Sequence, residues 1–112
     1  MNANARRGEI AARLDGRDFR LCLTLGALAE LESAFAADDL GQLVERFSTG
    51  RLSARDMVKI IGAGLRGAGN DVGDDQVRTM RCDDGAAGFA QIVAELLTAT
   101  FGAQERTATA NP

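Results

Sequence analysis

The chain has 112 residues, enough for one domain of ordinary size and too few for two. Its formal net charge is −3 and its five phenylalanines are its only aromatic residues, so electrostatic binding of nucleic acid and a base-stacking surface are both disfavoured. It has no histidine and two widely separated cysteines, which excludes the commonest general base and the familiar zinc-ligand spacings.

The first predicted element is a β-hairpin. Apolar residues alternate with polar or small ones on both sides of Asp15-Gly16, a pair typical of two-residue type I′ turns. With that turn, Ala12 faces Phe19 and Ile10 faces Leu21, so the turn and the apolar pattern agree on one register. Two strands alone are marginal in water, so the hairpin must pack on helices or be completed by a neighbouring strand.

Helix spacing replaces strand spacing after Thr24, a residue type that caps helices. The apolar period of three to four residues predicts a first helix that ends near Ala37. Asp38-Asp39 can begin a second short helix, because acidic side chains favour the positive end of the helix dipole. Gly50 is the predicted end of that helix.

A third helix is predicted to begin at Ser53-Ala54-Arg55-Asp56, which has the form of a capping box. The glycines from Gly62 to Gly69 match the GxGxxG dinucleotide fingerprint literally. That fingerprint requires a preceding strand, whereas these glycines lie inside and after a predicted helix. We expect Gly62 and Gly64 to let another backbone approach closely, and Gly67 or Gly69 to give a left-handed exit.

The last third of the chain contains a turn-rich break at residues 67 to 74, a short helix around Asp75 to Met80 and a longer final helix that ends at Gly102. The final helix has apolar residues at i, i+3, i+4 and i+7. The predicted fold is therefore α+β: a two-stranded hairpin followed by four or five packed helices. We expect one domain over residues 8–102, a flexible N-terminus at residues 1–7 and a disordered tail at residues 103–112.

The same residues predict little chemistry. Asp71, Asp74, Asp75, Asp83 and Asp84 lack the order of a calcium loop, and a solvated acidic surface is the alternative. No nucleophile lies beside an evident base, so we expect a non-enzymatic protein without cofactor or metal. No apolar run approaches the ~20 residues that cross a bilayer, and no apolar signal core is present. We expect a cytoplasmic protein whose Cys22 and Cys82 stay reduced, with no membrane or nucleic-acid partner.

Three segments carry a resemblance to a known family. They are the strand-to-helix block from Leu21 to Glu32, the tetrapeptide Gly50-Arg51-Leu52-Ser53, and the helix that ends in Gly64-Leu65-Arg66-Gly67. These segments resemble the small protein encoded between the major tail protein and the tape measure in gene transfer agent clusters of alphaproteobacteria. The resemblance runs from about Gly8 to Phe101.

That resemblance implies a role in building a phage-like tail. The family is described both as assembly chaperones, which coat the tape measure protein before the tube polymerises, and as tail tube components. Other tail proteins are the implied partners, and neither description implies an active site. Tube subunits resemble closed β-barrels or sandwiches, whereas this chain has two strand patterns, so the chaperone is the preferred reading and the tube subunit the alternative.

A chaperone for an extended, helical, apolar client needs grooves and repeated weak contacts. We predict a groove between the first and last helices with walls formed by Leu28, Leu31, Phe35, Phe89, Val93 and Leu96. Core packing is the alternative for each of these residues, because helical apolar stripes usually face the core. A second predicted contact is self-association through the edge of the hairpin.

Overall fold

The computed structural model describes residues 8–49 and 51–102. The predicted α+β class is confirmed: two strands precede five helices and a π-helical turn, in the order β1 (Glu9–Leu14), β2 (Arg17–Cys22), α1 (Leu25–Ala34), α2 (Leu40–Ser48), α3 (Ala54–Gly67), α4 (Asp74–Val77), α5 (Gly85–Leu97) and the turn Thr98–Gly102. The expectations for residues 1–7, residues 103–112 and Gly50 lie outside the described residues.

The hairpin has the predicted turn and register. Asp15 and Gly16 have φ values of 54° and 70°, as a type I′ turn requires, and Ala12 pairs with Phe19 while Ile10 pairs with Leu21. The turn is also fixed from outside the hairpin. The Asp15 N–H donates to the Arg81 carbonyl and the Arg81 N–H donates to Asp15 Oδ1, both at 2.8 Å.

Helix α3 is the centre of the fold, because it packs against β2, α1, α4 and α5. Its residues from Ile60 to Leu65 are all buried, so this part of the helix is covered on every side. Two glycines make the close packing possible. A Cβ at Gly64 would lie 2.7 Å from Leu96 Cδ2, and a Cβ at Gly67 would overlap the carbonyl oxygen of Cys22. The close backbone approach predicted for Gly62 and Gly64 is found at Gly67 instead, because the atoms nearest to Gly62 and Gly64 belong to side chains.

Side-chain caps fix where three helices begin. The Thr24 hydroxyl accepts from the Ala27 N–H at 3.1 Å, and Asp39 Oδ1 accepts from the Gln42 N–H at 2.9 Å. The predicted capping box at α3 is confirmed. In it, the Ser53 hydroxyl accepts from the Asp56 N–H at 3.1 Å, and Asp56 Oδ2 accepts from the Ser53 N–H at 3.0 Å.

The ends of the helices depart from the prediction in two places. Helix α1 ends at Ala34 and not near Ala37, because Ala36 takes a positive φ of 54° that a right-handed helix cannot contain. Helix α4 spans Asp74–Val77, one turn, and so is shorter than the predicted segment up to Met80. Of the two glycines proposed for the exit of α3, Gly69 is the left-handed one, with φ +97°.

Candidate protein-binding surfaces

The structure does not form the groove predicted between the first and last helices. Helices α1 and α5 both pack on α3, and four of the six wall residues belong to the buried core: Leu28, Leu31, Val93 and Leu96. Core packing therefore accounts for these four side chains. Phe35 and Phe89 are partly exposed but lie in different surroundings, so the predicted set does not converge on one site.

Phe35 lies in a cluster between α1, α2 and α3. Its ring meets the Phe47 ring edge to face, with centroids 5.5 Å apart. The Arg46 guanidinium lies 5.5 Å and the Lys59 ammonium 5.4 Å from the centroid of the Phe35 ring. Cation–π attraction of this kind contributes about 0.5–1 kcal/mol at exposed sites. The cluster attaches α2 to the rest of the fold and leaves little of the Phe35 ring for a partner.

Phe89 instead lines an apolar pocket of about 250 Å³ between α3, α4 and α5. We call it the α3–α5 pocket, and six apolar side chains carry the argument about it: Met57, Val58, Ile61, Val77, Met80 and Phe89. Ile61 and Val77 are buried and form the floor, whereas the other four are partly exposed and form the rim. The pocket can therefore receive an apolar side chain from outside the molecule.

Two of the four rim residues are methionines. Met57 comes from α3, and Met80 from the segment after α4. Methionine has three rotatable bonds and a polarisable sulfur, so it adapts to side chains of different shape, and it is over-used at promiscuous binding surfaces. The pocket suits apolar side chains without selecting one shape.

A polar cluster lies at a neighbouring surface. Arg66 donates through Nη2 to Glu30 Oε1 at 2.6 Å, and through Nη1 to Asp74 Oδ1 at 3.0 Å and to the Val72 carbonyl at 3.1 Å. The hydrogen bond with Glu30 raises the pKa of Arg66, with smaller contributions from Asp74. Because two carboxylates already neutralise the guanidinium, the cluster joins α1, α3 and the start of α4 and leaves no net positive charge for an anionic ligand.

The described residues also show where the other motifs and residue types singled out in the sequence lie. No group of three or more His, Cys, Asp or Glu side chains within residues 8–49 and 51–102 is arranged to hold a metal ion. Gly62 and Gly64 lie within α3, where the dinucleotide fingerprint requires a strand-to-helix turn. Cys22 and Cys82 form no disulfide. None of the helices in the described ranges has the length and hydropathy that a bilayer-spanning segment needs.

The α3–α5 pocket was not predicted from the sequence. The sequence did contain a sign of this pocket. Met57 and Val58 lie near the start of α3, before its buried stretch, and Val77 and Met80 are apolar residues in an otherwise polar segment. The pattern alone did not show that these two segments meet, since the break between them contains no regular spacing.

The geometry defines the class of protein first. This is a small α+β domain whose candidate sites are an apolar pocket and the edge of a two-stranded sheet, features through which proteins bind other proteins. A family model described as phage tail tube protein, GTA-gp10, matches residues 7–103, and the chain belongs to that family. The predicted resemblance is thereby confirmed, and the protein is related to the tails of phages and gene transfer agents.

No curated protein matches this chain significantly, and no solved structure does. Membership of the family therefore relates the chain to phage-like tails, and its particular role in them is inferred from the described residues.

Proposed function

We propose that this protein is a non-enzymatic tail assembly chaperone that binds the tape measure protein before the tube forms around it. The observation that carries the proposal is the α3–α5 pocket, which is apolar, open to solvent and lined at its rim by Met57 and Met80. An extended, helical, apolar client presents many similar side chains, and an adaptable pocket can bind each of them weakly.

The strand content supports the same role. The described residues contain one two-stranded sheet of six residues per strand, beside five helices. A tube wall of the closed β-barrel or sandwich kind needs several longer strands, because only a closed or doubly packed sheet buries its apolar face without helices. In this chain α3 and α5 cover that face instead.

The alternative is a structural subunit that stays in the finished tube, and the wording of the family description favours it. The two roles differ in stoichiometry. A tube subunit is present in every ring of a purified particle, whereas an assembly chaperone leaves before the particle is complete. Quantitative mass spectrometry of purified particles therefore separates them: many copies per particle would overturn the chaperone proposal.

A pull-down tests the pocket directly. The tape measure protein is co-expressed with the tagged chain, and its recovery is compared for the wild type, Met80→Asp and Phe89→Asp. Burying one large apolar side chain contributes roughly 1.5–3 kcal/mol, so an aspartate in the pocket should reduce client recovery about tenfold or more.

The matched control is Leu25→Asp. Leu25 is apolar and 79% exposed at the start of α1, and it does not line the pocket. An acidic residue in the first turn of a helix is also well tolerated. We expect full client recovery with this variant. Equal loss in all three variants, or none in the pocket variants when thermal unfolding shows them folded, would contradict binding through the α3–α5 pocket.

A further inference from the structure

Three segments form the walls of the α3–α5 pocket, and one of them has little secondary structure. Met57, Val58 and Ile61 belong to α3 and Phe89 belongs to α5, helices of 14 and 13 residues. The third wall comes from residues 72–81, which we call the strap and whose helix is the single turn of α4. Because one helical turn has few internal hydrogen bonds, the position of the strap depends on its contacts with the rest of the fold.

The first end of the strap is tied to α1 and α3. Arg66 donates through Nη1 to the Val72 carbonyl at 3.1 Å and to Asp74 Oδ1 at 3.0 Å. The same guanidinium donates through Nη2 to Glu30 Oε1 at 2.6 Å. Hydrogen bonds between charged groups are stronger than those between neutral groups, so Arg66 fixes this end against the two helices.

The second end of the strap is tied to the hairpin. The Arg81 N–H donates to Asp15 Oδ1, and the Asp15 N–H donates to the Arg81 carbonyl, both at 2.8 Å. Asp15 is the first residue of the two-residue turn, so it lies at the tip of the hairpin. Arg81 directly follows Met80 in the chain. The two hydrogen bonds therefore fix the backbone next to a rim methionine of the pocket.

Between its two ends the strap bonds to itself. Within the described ranges, the hydrogen bonds of residues 75–80 all have their partners in the strap. Val77 is the buried residue of this stretch, at 4% exposure, and it reaches the floor of the pocket. A segment with one buried side chain and no hydrogen bond to its neighbours opens at a low free-energy cost, so the fixed ends are what position it.

The side of the strap that faces the hairpin is not closely packed. A second cavity, of about 400 Å³, lies there and is lined by Asp15 on the hairpin and by Gln76, Thr79 and Met80 on the strap. Met80 therefore lines two cavities, this one and the α3–α5 pocket. A cavity supplies no packing contacts, so Met80 is not supported from behind. The hydrogen bonds between Asp15 and Arg81 hold it at the rim.

We propose that Asp15 is a positioning residue of the α3–α5 pocket: through Arg81 it holds Met80 at the rim, so the hairpin sets the shape of a site that the helices build. This inference rests on the proposed function, because it concerns the pocket that the client enters. Asp15 does not itself line that pocket. When its bond to Arg81 is lost, Met80 can move into the cavity beside the hairpin, and a client side chain must then order the strap as it binds.

The test compares two substitutions at Asp15 that both keep the hairpin turn. Asp15→Gly removes the acceptor for the Arg81 N–H, whereas Asp15→Asn keeps an oxygen at that place. Glycine and asparagine both tolerate the φ of 54° at this position, and Gly-Gly and Asn-Gly both form type I′ turns. Both variants also lose the same negative charge, so Asp15→Asn is the matched control.

The first measurement uses the chain alone and combines amide hydrogen exchange with NMR of the methionine methyl groups. In Asp15→Gly the amides of residues 75–80 should exchange about threefold to tenfold faster than in the wild type, the effect of one lost hydrogen bond. The Met80 methyl resonance should shift as well. Met57, on the α3 side of the pocket, and the amides of residues 60–65 should change little. Asp15→Asn should match the wild type.

Equal exchange of the strap amides in all three chains would overturn the proposal. Exchange that is faster by the same factor in residues 60–65 would overturn it too, because the substitution would then lower the stability of the whole fold. These measurements need no client, so they are independent of whether the tape measure protein binds.

The second measurement is the recovery of co-expressed tape measure protein by the tagged chain. Asp15→Gly should recover about threefold to tenfold less client than the wild type, and Asp15→Asn should recover as much. Full recovery by Asp15→Gly would overturn the positioning role and leave the proposed function intact. A wild type that recovers no client would contradict the proposed function, and the exchange and NMR results would still decide whether Asp15 positions Met80.

Discussion

The two halves of α3 differ in what surrounds them. From Ile60 to Leu65 every residue is buried, and Gly64 and Gly67 let α5 and β2 approach the helix backbone. In residues 54–59 only Asp56 is buried, while Met57 and Val58 remain partly exposed and line the α3–α5 pocket.

This difference separates stability from binding along one helix. A helix segment that is covered on every side holds the fold together and offers a partner little surface, here only Ile61 at the floor of the pocket. An apolar stripe that is only partly covered contributes less to the free energy of folding. The apolar area that stays exposed can still be buried against a partner, which stabilises the complex. Substitutions in the two halves should therefore have different consequences.

The largest expected loss of stability comes from a substitution in the buried half of α3. Leu65 is 0% exposed, so Leu65→Ala leaves a cavity and should lower the free energy of unfolding by about 3–5 kcal/mol. Met57→Ala, in the open half, should lower it by about 1 kcal/mol because less of the side chain leaves water on folding. Urea denaturation followed by circular dichroism measures both. Equal losses would mean that the two halves do not differ in packing.

The second-largest expected loss of stability comes from a substitution where the β2 backbone lies close to α3. Gly67→Ala places a methyl group against the Cys22 carbonyl, which is backbone and cannot rotate away, so we expect a loss of about 2–3 kcal/mol. The matched control is Gly26→Ala in α1, where a Cβ would have only the Thr24 hydroxyl within 4 Å, at 3.9 Å. That change should stabilise by about 0.5 kcal/mol through helix propensity. A neutral Gly67→Ala would show that β2 does not pack this closely on α3.

The smallest expected loss of stability comes from a substitution in the cap at the start of α3. Asp56→Ala removes the side-chain acceptor for the Ser53 N–H and the ion pair with Arg46, whose atoms are 3.4 Å apart. We expect a loss of about 1–2 kcal/mol, or a melting temperature lower by roughly 4–16 °C for a domain of this size. Asp56→Asn keeps an acceptor oxygen and should lose about 1 kcal/mol or less. If both variants melt alike, the charge matters and the cap does not.

Local features were the part of the fold that the sequence could predict. The Asp15-Gly16 turn, the hairpin register and the Ser53–Asp56 capping box all depend on residues within a few positions of one another, and all three are present. The short α4 and the early end of α1 at Ala34 were missed in detail, because helix ends depend on single backbone angles such as the φ of Ala36.

The candidate site depended on features that are not local. The helical periods of α1 and α5 predicted most of their apolar faces, although Leu25 in α1 is 79% exposed, but they did not reveal that both faces meet α3. Core packing therefore buries four of the residues that were predicted to line the groove: Leu28, Leu31, Val93 and Leu96. Phe89 was the one wall residue that reached the α3–α5 pocket, and its neighbour there, Met80, comes from a segment without periodicity.

The paired hydrogen bonds between Asp15 and Arg81 join positions 66 residues apart. Helix α5, which follows Arg81, also packs on β1, so the hairpin is covered by a helix that lies far along the sequence from it. Contacts between such distant positions require a long loop to close before they contribute free energy, so we expect the hairpin to gain this cover late in folding.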